Sequence, residues 1–142
     1  AVKMALRRLS KQLKEERKTR RTNIGKVMEG TSVKLENNLQ VCKSKRETEG
    51  IVVAETEHGF TTVQKSGKEC RKEVIEDQVM ISLESPENLE ETPGVLSYIL
   101  SILASQDINI TELISCREDT HLIIDEEDAT QTFELLNKKL KR

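Results

Sequence analysis

Apolar residues recur at helical spacing in three stretches of the chain. The first, residues 1–18, carries them as one stripe on a helix that is otherwise polar. The second follows residue 94, and the third follows a start that resembles a capping box, Asp128-x-x-Gln131. The apolar positions are Val2, Ala5, Leu6, Leu9 and Leu13, then Val95, Leu96, Ile99, Leu100, Ile102 and Leu103, then Ala129, Phe133, Leu136 and Leu140.

The central helix has a recognisable start and end. Thr92 is predicted as its N-cap, because a threonine hydroxyl can accept from a backbone N–H of the first turn. Pro93 is predicted at the first helical position, where its missing N–H has no cost. The helix is predicted to end near Asp107, and residues 108–110 then begin a strand.

Between residues 24 and 65 the apolar period shortens to that of β-strands. Two pairs of turn residues, Asn37-Asn38 and His58-Gly59, predict hairpins, since both contain residues that tolerate positive φ. The predicted strands are 24–28, 32–35, 39–43, 51–55 and 60–64. Residues 66–77 are read as a charged connector.

From residue 78 onward the pattern is strand, helix, strand, strand, helix. Residues 78–84 alternate apolar and polar positions, as do 110–116 and 120–125, with a hairpin turn at Arg117. Two helices on one face of an antiparallel sheet form the ferredoxin-like arrangement. The sequence therefore predicts an α+β fold.

Two motifs here resemble a known family. They are Thr92-Pro93-Gly94-Val95-Leu96 at the helix start and Asp107-Ile108-Asn109-Ile110 at the head of the next strand. This combination resembles the ACT domain, the amino-acid-sensing module of aspartokinases, over roughly residues 78–140. The resemblance implies a ferredoxin-like βαββα(β) ACT domain, preceded by extra β-strands and a basic N-terminal helix.

The chain departs from the family in one respect. An ACT domain is normally βαββαβ, and no strand is predicted here after the second helix. We expect a strand from residues 31–65, or one from a second chain, to fill the vacant position. The predicted organisation is a basic helix over 1–22, either independent or the end of an upstream domain; a β-rich, reduced ACT-like segment over 23–77; and the ACT domain over 78–142.

The resemblance also implies a ligand site on the loop before the central helix. Carried over by position, the binding residues are Glu91, Thr92, Gly94, Val95, Leu96, Asn109 and Ile110. A glycine lets a ligand approach the backbone, and a helix N-terminus suits a carboxylate. Glu90 or Glu91 could pair with an α-ammonium group, although the family often has Asp there. The alternative is that these residues form only a helix start and a turn.

Charge is unevenly distributed along the chain. Residues 1–21 carry nine basic side chains against two acidic ones, a net charge of +7, whereas the whole chain has a net charge of −2. Arg7, Arg8 and Lys11 are therefore candidates for contacts to nucleic-acid phosphates, with DNA as a partner through an upstream part of the protein. The alternative is a solvated helix that packs its apolar stripe on its own domain or on a partner chain.

The remaining features exclude several classes of function. The sequence contains no nucleophile–base pair, phosphate-binding loop or carboxylate–histidine cluster, so we expect no enzyme, cofactor or metal. Cys42, Cys70 and Cys116 lack metal-ligand spacing, and their odd number predicts reduced thiols in the cytoplasm. No apolar run approaches the ~20 residues of a membrane-spanning helix.

Taken together, these features predict a regulatory protein that senses an amino acid or similar small ligand. Ligand binding would change the packing of a homodimer or higher oligomer. Two alternatives stay open: a transcriptional regulator whose DNA-binding part is truncated, and an oligomerisation module that binds no ligand.

Overall fold

A computed structural model describes residues 1–86 and 92–140. A single turn of 3₁₀ helix, Glu126–Asp128, precedes the last helix. The helices are α1 (Val2–Glu29), α2 (Val95–Ala104) and α3 (Ala129–Leu140). The strands are β1 (Ser32–Ser44), β2 (Ile51–Thr56), β3 (Gly59–Lys65), β4 (Glu73–Glu84), β5 (Glu112–Cys116) and β6 (Asp119–Asp125).

The strands form one antiparallel sheet in the order β2-β3-β1-β4-β6-β5. The succession β4-α2-β5-β6-α3 is the predicted strand, helix, strand, strand, helix, and it confirms the α+β, ferredoxin-like fold. Hairpins join β2 to β3 and β5 to β6, as the turn residues at His58-Gly59 and Arg117 predict.

β1 occupies the sheet position that the ACT resemblance assigns to a strand after the second helix. It pairs with β4 on the side away from β6, antiparallel, from Ser32 opposite Glu84 to Lys43 opposite Glu73. The edge of the domain is therefore covered by a strand that precedes the domain in sequence. Of the two expected candidates, a strand from residues 31–65 and a strand from a second chain, the structure shows the first.

The main core lies between the helices and one face of the sheet. β4 contributes Val79, Ile81 and Leu83, and β6 contributes Leu122 and Ile124, because alternate residues of a strand share a face. The helices contribute Val27 and Met28 from α1, Val95, Ile99, Ile102 and Leu103 from α2, and Ala129, Leu136 and Leu140 from α3. All three helices thus pack on this core.

Two β-bulges shift the alternation of β1 and β4. The register passes from Glu36–Met80 to Leu39–Gln78, so β1 has one extra residue, and Asn38 there has φ +57°. β4 has its own extra residue at Asp77, with φ +54°. After the bulge, β1 buries a second, smaller cluster on the opposite face of the sheet. Its buried members are Leu39, Val41, Val63, Met80 and Ile123.

The structure corrects three predictions. Asn37-Asn38 does not form a hairpin, because β1 runs through it. Residues 66–77 are not wholly a connector, since β4 begins at Glu73 and pairs with β1. Residues 24–28 are not a strand but the last turns of α1, which extends beyond residue 18 because Val27 and Met28 are buried in the core.

The cysteines also differ from expectation. Cys42 on β1 and Cys70 in the loop before β4 form a disulfide, so the prediction of reduced thiols is wrong for this pair. Cys116 is free, and it is exposed because β5 is an edge strand and Cys116 is its last residue.

None of the helices in the described ranges is long and apolar enough to cross a membrane.

Candidate functional site

A cavity of about 280 Å³ lies where α2 begins. One wall is the start of α2 with the residues before it, and the other is the β5–β6 hairpin. Its lining residues are Thr92, Gly94, Val95, Leu96, Ser97, Ser115, Arg117 and Thr120. Four of the residues predicted from the ACT resemblance therefore line one cavity: Thr92, Gly94, Val95 and Leu96.

The N-cap of α2 is Gly94, which adopts φ +87°. Thr92 and Pro93 both precede it, so the prediction of Thr92 as N-cap and Pro93 as first helical residue is wrong by two positions. The physical reason is that Gly94 alone adopts the left-handed conformation without a steric penalty. A glycine cap contributes no side chain, and the backbone N–H groups of a first helical turn have no partner within their own helix.

The hairpin wall of the cavity carries a positively charged residue, Arg117. The sequence predicted only a turn at this position. Arg117 is exposed, has φ +52°, and among residues 1–86 and 92–140 its guanidinium has no ion-pair partner. The neighbouring Glu118 accepts a hydrogen bond from the N–H of Ser85 at 3.0 Å through its carbonyl oxygen. This bond fixes the hairpin beside the end of β4. An isolated arginine in a hairpin turn was the only available sequence signal.

Helix α1 borders the same loop. A Cβ placed on Gly94 would lie 3.4 Å from Ile24 Cδ1 and 4.0 Å from Arg20 Cδ. Ile24 is half-buried and packs against the main core. The loop before α2 is therefore in contact range of α1 at Ile24, where this helix begins to pack on the main core.

The other predicted residues lie elsewhere. Asn109 is exposed, and Ile110 packs against the main core; neither lines the cavity. Glu91 and Glu90 lie outside the described residues. The ACT resemblance predicted that the segment around Gly94 and the segment around Asn109 form one site. The structure places only the segment around Gly94 at the cavity.

The head of β5 is positioned by a buried amide. The Gln78 side chain is 1 % exposed and donates through Nε2 to Asp125 Oδ1 at 2.7 Å. Its Oε1 accepts from the Thr111 hydroxyl at 2.7 Å, and the N–H of Thr111 donates to the Ile123 carbonyl at 2.7 Å. This network fixes the segment between α2 and β5, which carries Asn109 and Ile110.

An exposed ion pair stands at the cavity's end of the sheet. Lys34 Nζ lies 2.8 Å from Glu84 Oε1. The hydrogen bond to Glu84 and the charge of that carboxylate raise the pKa of Lys34 above its ordinary value of 10.5, with a smaller contribution from Asp119. Glu84 and Asp119 face each other across β4 and β6.

One group of carboxylates has the spacing of a cation site. Asp125, Glu127 and Asp128 place oxygen atoms within 4.8 Å of one another. Exposed acidic groups commonly lie this close without an ion, and Asp125 already accepts the Gln78 amide. The group is a consequence of the acidic turn before α3.

A second candidate surface is the free part of α1. Residues 1–23 are exposed throughout, including Arg7, Arg8 and Lys11. The apolar stripe is exposed as well, so it does not pack on its own domain, and that half of the alternative is wrong; packing on a partner chain stays a prediction. Within the part of the chain that the structure describes, no ion pair involves a basic residue of α1.

Comparison with known proteins bears on the segment that carries the first cavity. Residues 73–138 match the model of the ACT domain family. This segment, 66 of the chain's 142 residues, is similar to an ACT domain. The match begins at the start of β4 and ends within α3, and so includes both walls of the cavity. No curated protein sequence matches the chain.

Solved structures extend the likeness beyond the ACT domain. A Vibrio cholerae protein of unknown function superposes with a TM-score of 0.64 at 17 % identity, over 83 % of this chain and 95 % of the other. The regulatory subunit of aspartate kinase from Thermus thermophilus gives 0.56 at 16 %, over 78 % and 95 %. Aspartokinase III of E. coli, in complex with aspartate and ADP, gives 0.60 at 15 %, over 78 % of this chain but 33 % of the enzyme. At these identities the likeness establishes the fold.

Proposed function

We propose that this protein is a non-catalytic regulatory module that binds an amino acid, or a similar small carboxylate, in the cavity at the start of α2. The observation that carries the proposal is the pairing of a helix N-terminus capped by Gly94 with the guanidinium of Arg117 across one cavity. A carboxylate is attracted by both, because the helix dipole and the arginine charge have the same sign at that point. The ACT domain and its aspartokinase neighbours support a regulatory role.

Ligand binding would be coupled to the rest of the protein through α1. Gly94 is within contact range of Ile24 and Arg20, so a ligand that shifts the loop also shifts the base of this helix. Only a ligand that binds one arrangement of loop and helix more tightly can change their populations. In the proposal, the change alters how α1 packs in a homodimer or higher oligomer.

The test is calorimetric titration of each of the twenty amino acids into the purified chain, preceded by a thermal-shift screen. A ligand at 100 times its dissociation constant raises the free energy of unfolding by about 2.7 kcal/mol, which is a readable shift. We expect one or a few related amino acids to bind. Arg117→Gln should weaken binding about tenfold or more, because it removes one charge-assisted contact and leaves the hairpin backbone unchanged.

Asn109→Ala is the matched control, because Asn109 is exposed and lies outside the cavity. Equal loss of affinity in both variants would place the ligand elsewhere. Absence of binding by all twenty amino acids would contradict the sensing function and favour a module that only oligomerises.

A second function, DNA binding, is favoured by one observation: the nine basic side chains of residues 1–21 have no acidic partner in the described ranges. Such a helix could contact phosphates, and its affinity would fall steeply with salt. Fluorescence anisotropy with duplex DNA at several salt concentrations tests this. Triple replacement of Arg7, Arg8 and Lys11 by Gln should reduce the slope of log affinity against log salt, and an unchanged slope would exclude these residues.

The cytoplasmic location stays a prediction of this proposal. The Cys42–Cys70 disulfide is the feature that bears against it, since cytosolic thiols are normally kept reduced.

A further inference from the structure

A second cavity, of about 750 Å³, is separate from the site at α2. It lies between the loop from β1 to β2, residues 45–50, and the loop from β3 to β4, residues 66–72, with Gln64 at its base. Ser44, at this end of β1, also lines it. Ser32, at the other end of β1, pairs with Glu84 beside the β5–β6 hairpin. The two cavities are therefore at opposite ends of a 13-residue strand.

Both walls of this cavity are tied to its base. Gln40 and Gln64 are buried side by side, and Gln40 Nε2 donates to Gln64 Oε1 at 2.6 Å. Gln64 Nε2 donates to the Glu49 carbonyl at 3.1 Å, which holds the first wall. Gln40 Nε2 donates to the Lys68 carbonyl at 2.9 Å, and the disulfide attaches Cys70 to β1, so the second wall is held twice.

The lining carries more positive than negative charge. Its basic residues are Lys45, Arg46, Lys68, Arg71 and Lys72, and its acidic residues are Glu47, Glu49 and Glu69. Four of these residues form two ion pairs. Lys68 Nζ lies 3.4 Å from Glu49, and Arg71 Nε lies 2.9 Å from Glu69.

Three cations of the lining have no ion-pair partner among residues 1–86 and 92–140. They are Lys45, Arg46 and Lys72, and they stand on both walls. Thr48, on the first wall, has a buried hydroxyl oxygen without a hydrogen-bond partner in the described structure. Buried polar atoms are normally paired, and an unpaired one often marks a site completed by water or a ligand.

We propose that this cavity binds a small dianion, meaning a metabolite-sized molecule with a phosphate group or two carboxylates. Unpaired lysine and arginine side chains on both walls of a cavity are suited to hold a dianion, with arginine able to contact two of its oxygens. The volume is within the range of about 300–1,000 Å³ typical of small-molecule sites. The proposal does not depend on amino-acid binding at α2, because no lining residue is shared.

The test is calorimetric titration of inorganic phosphate and of succinate into the oxidised protein at low ionic strength, with amide chemical shifts recorded in parallel. We expect saturable binding of at least one probe, with the largest shifts in residues 45–49 and 68–72. Phosphate alone would indicate a phosphate ester, succinate alone a dicarboxylate, and both would support the shared dianion chemistry. Acetate is the monoanion control and should bind at least about tenfold more weakly.

Arg46→Gln and Lys72→Gln should each weaken binding about tenfold, since each removes one charge-assisted contact. Lys138→Gln is the matched control, because Lys138 is exposed on α3 and lies outside the cavity. Arg117→Gln should leave the shifts of residues 45–49 and 68–72 unchanged while it weakens amino-acid binding, so the two sites are tested separately. The proposal is overturned if no probe saturates, if acetate shifts residues 45–49 and 68–72 at equally low concentrations, or if Lys138→Gln weakens binding as much as Arg46→Gln.

Discussion

The Cδ1 atom of Ile24 lies 3.4 Å from the position that a Cβ would occupy on Gly94. Ile24 belongs to the last turns of α1, and Gly94 is the N-cap of α2. The long basic helix is thus packed directly against the loop that begins the candidate ligand site. Any side chain at position 94 would have to fit under α1 as well as adopt a left-handed backbone.

Gly94→Ala should lower the free energy of unfolding by about 1–2 kcal/mol, since alanine is strained at φ +87°. Gly25→Ala is the matched control on α1. Gly25 is helical, and an added Cβ there meets nothing within 4 Å, so alanine should stabilise the protein by about 0.5–1 kcal/mol. Urea denaturation followed by circular dichroism measures both. Equal effects in the two variants would contradict the role of the backbone at Gly94.

Reduction of the Cys42–Cys70 disulfide should destabilise the protein. The bond closes a loop with a sequence separation of 28, and the chain-entropy model gives about 3–4 kcal/mol for a loop of this length. Cys70→Ser should show the same loss, whereas Cys116→Ser should show none, because Cys116 is free and exposed. Thermal unfolding with and without dithiothreitol is the measurement. A wild-type midpoint that is insensitive to the reductant would argue that the bond does not form in solution.

Gln78→Met should cost about 1–3 kcal/mol, because it leaves the Thr111 hydroxyl and Asp125 without their amide partner. Hydrogen exchange should also increase at the Thr111 amide, whose bond to Ile123 depends on the position of this segment. Gln131→Met, on the exposed face of α3, is the control and should change stability by less than about 0.5 kcal/mol. Equal stability of the two variants would show that the network contributes nothing.

The sequence was informative wherever a local pattern and the fold agreed. The alternation of Val79, Ile81 and Leu83 predicted a strand with one face on the core, and it is β4. The motif around Gly94 predicted the resemblance to the ACT family, and its residues form one wall of a cavity. In these cases the periodicity of burial is set by short-range geometry, which the sequence records directly.

Other features depend on contacts that are distant in sequence. Asn37-Asn38 has the composition of a hairpin, but the pairing of β1 with β4 turns it into a bulge. The spacing of Cys42 and Cys70 does not reveal that β1 and the loop before β4 meet. Arg117 was interpreted only as a turn residue. Its charge lies beside the start of α2 only in the folded protein, because the two segments are distant in sequence.

Double replacement of Leu9 and Leu13 by Ala should leave the thermal midpoint of the domain unchanged. These side chains are 50 % and 44 % exposed, and no core cluster includes them. If the stripe of α1 packs on a partner chain, the same variant should lower the molar mass measured by light scattering after gel filtration. Val27→Ala is the contrasting variant: Val27 is fully buried, and its truncation should cost about 1–3 kcal/mol. A lowered midpoint with an unchanged molar mass would contradict the exposed stripe.

Alkaline pH should weaken the contribution of the Lys34–Glu84 pair. The raised pKa of Lys34 means that its stabilisation is complete below the ordinary value of 10.5 and is lost as pH rises through the higher folded-state pKa. The difference in thermal midpoint between wild type and Lys34→Gln should therefore shrink in that range. Lys3→Gln, at the far end of α1, should show no such difference at any pH. A difference that persists at high pH would indicate packing rather than charge.

The bulge at Asn38 makes a single strand serve two cores. Before it, Val33 packs against the helical core; after it, Leu39 and Val41 belong to the cluster on the opposite face. β4 and β6 also contribute to both cores through alternate residues, such as Ile81 and Met80. Because the two cores share these strands, neither core can unfold while the other stays intact. The two faces of the sheet should therefore unfold as one cooperative unit, which includes residues outside the segment that matches the ACT family.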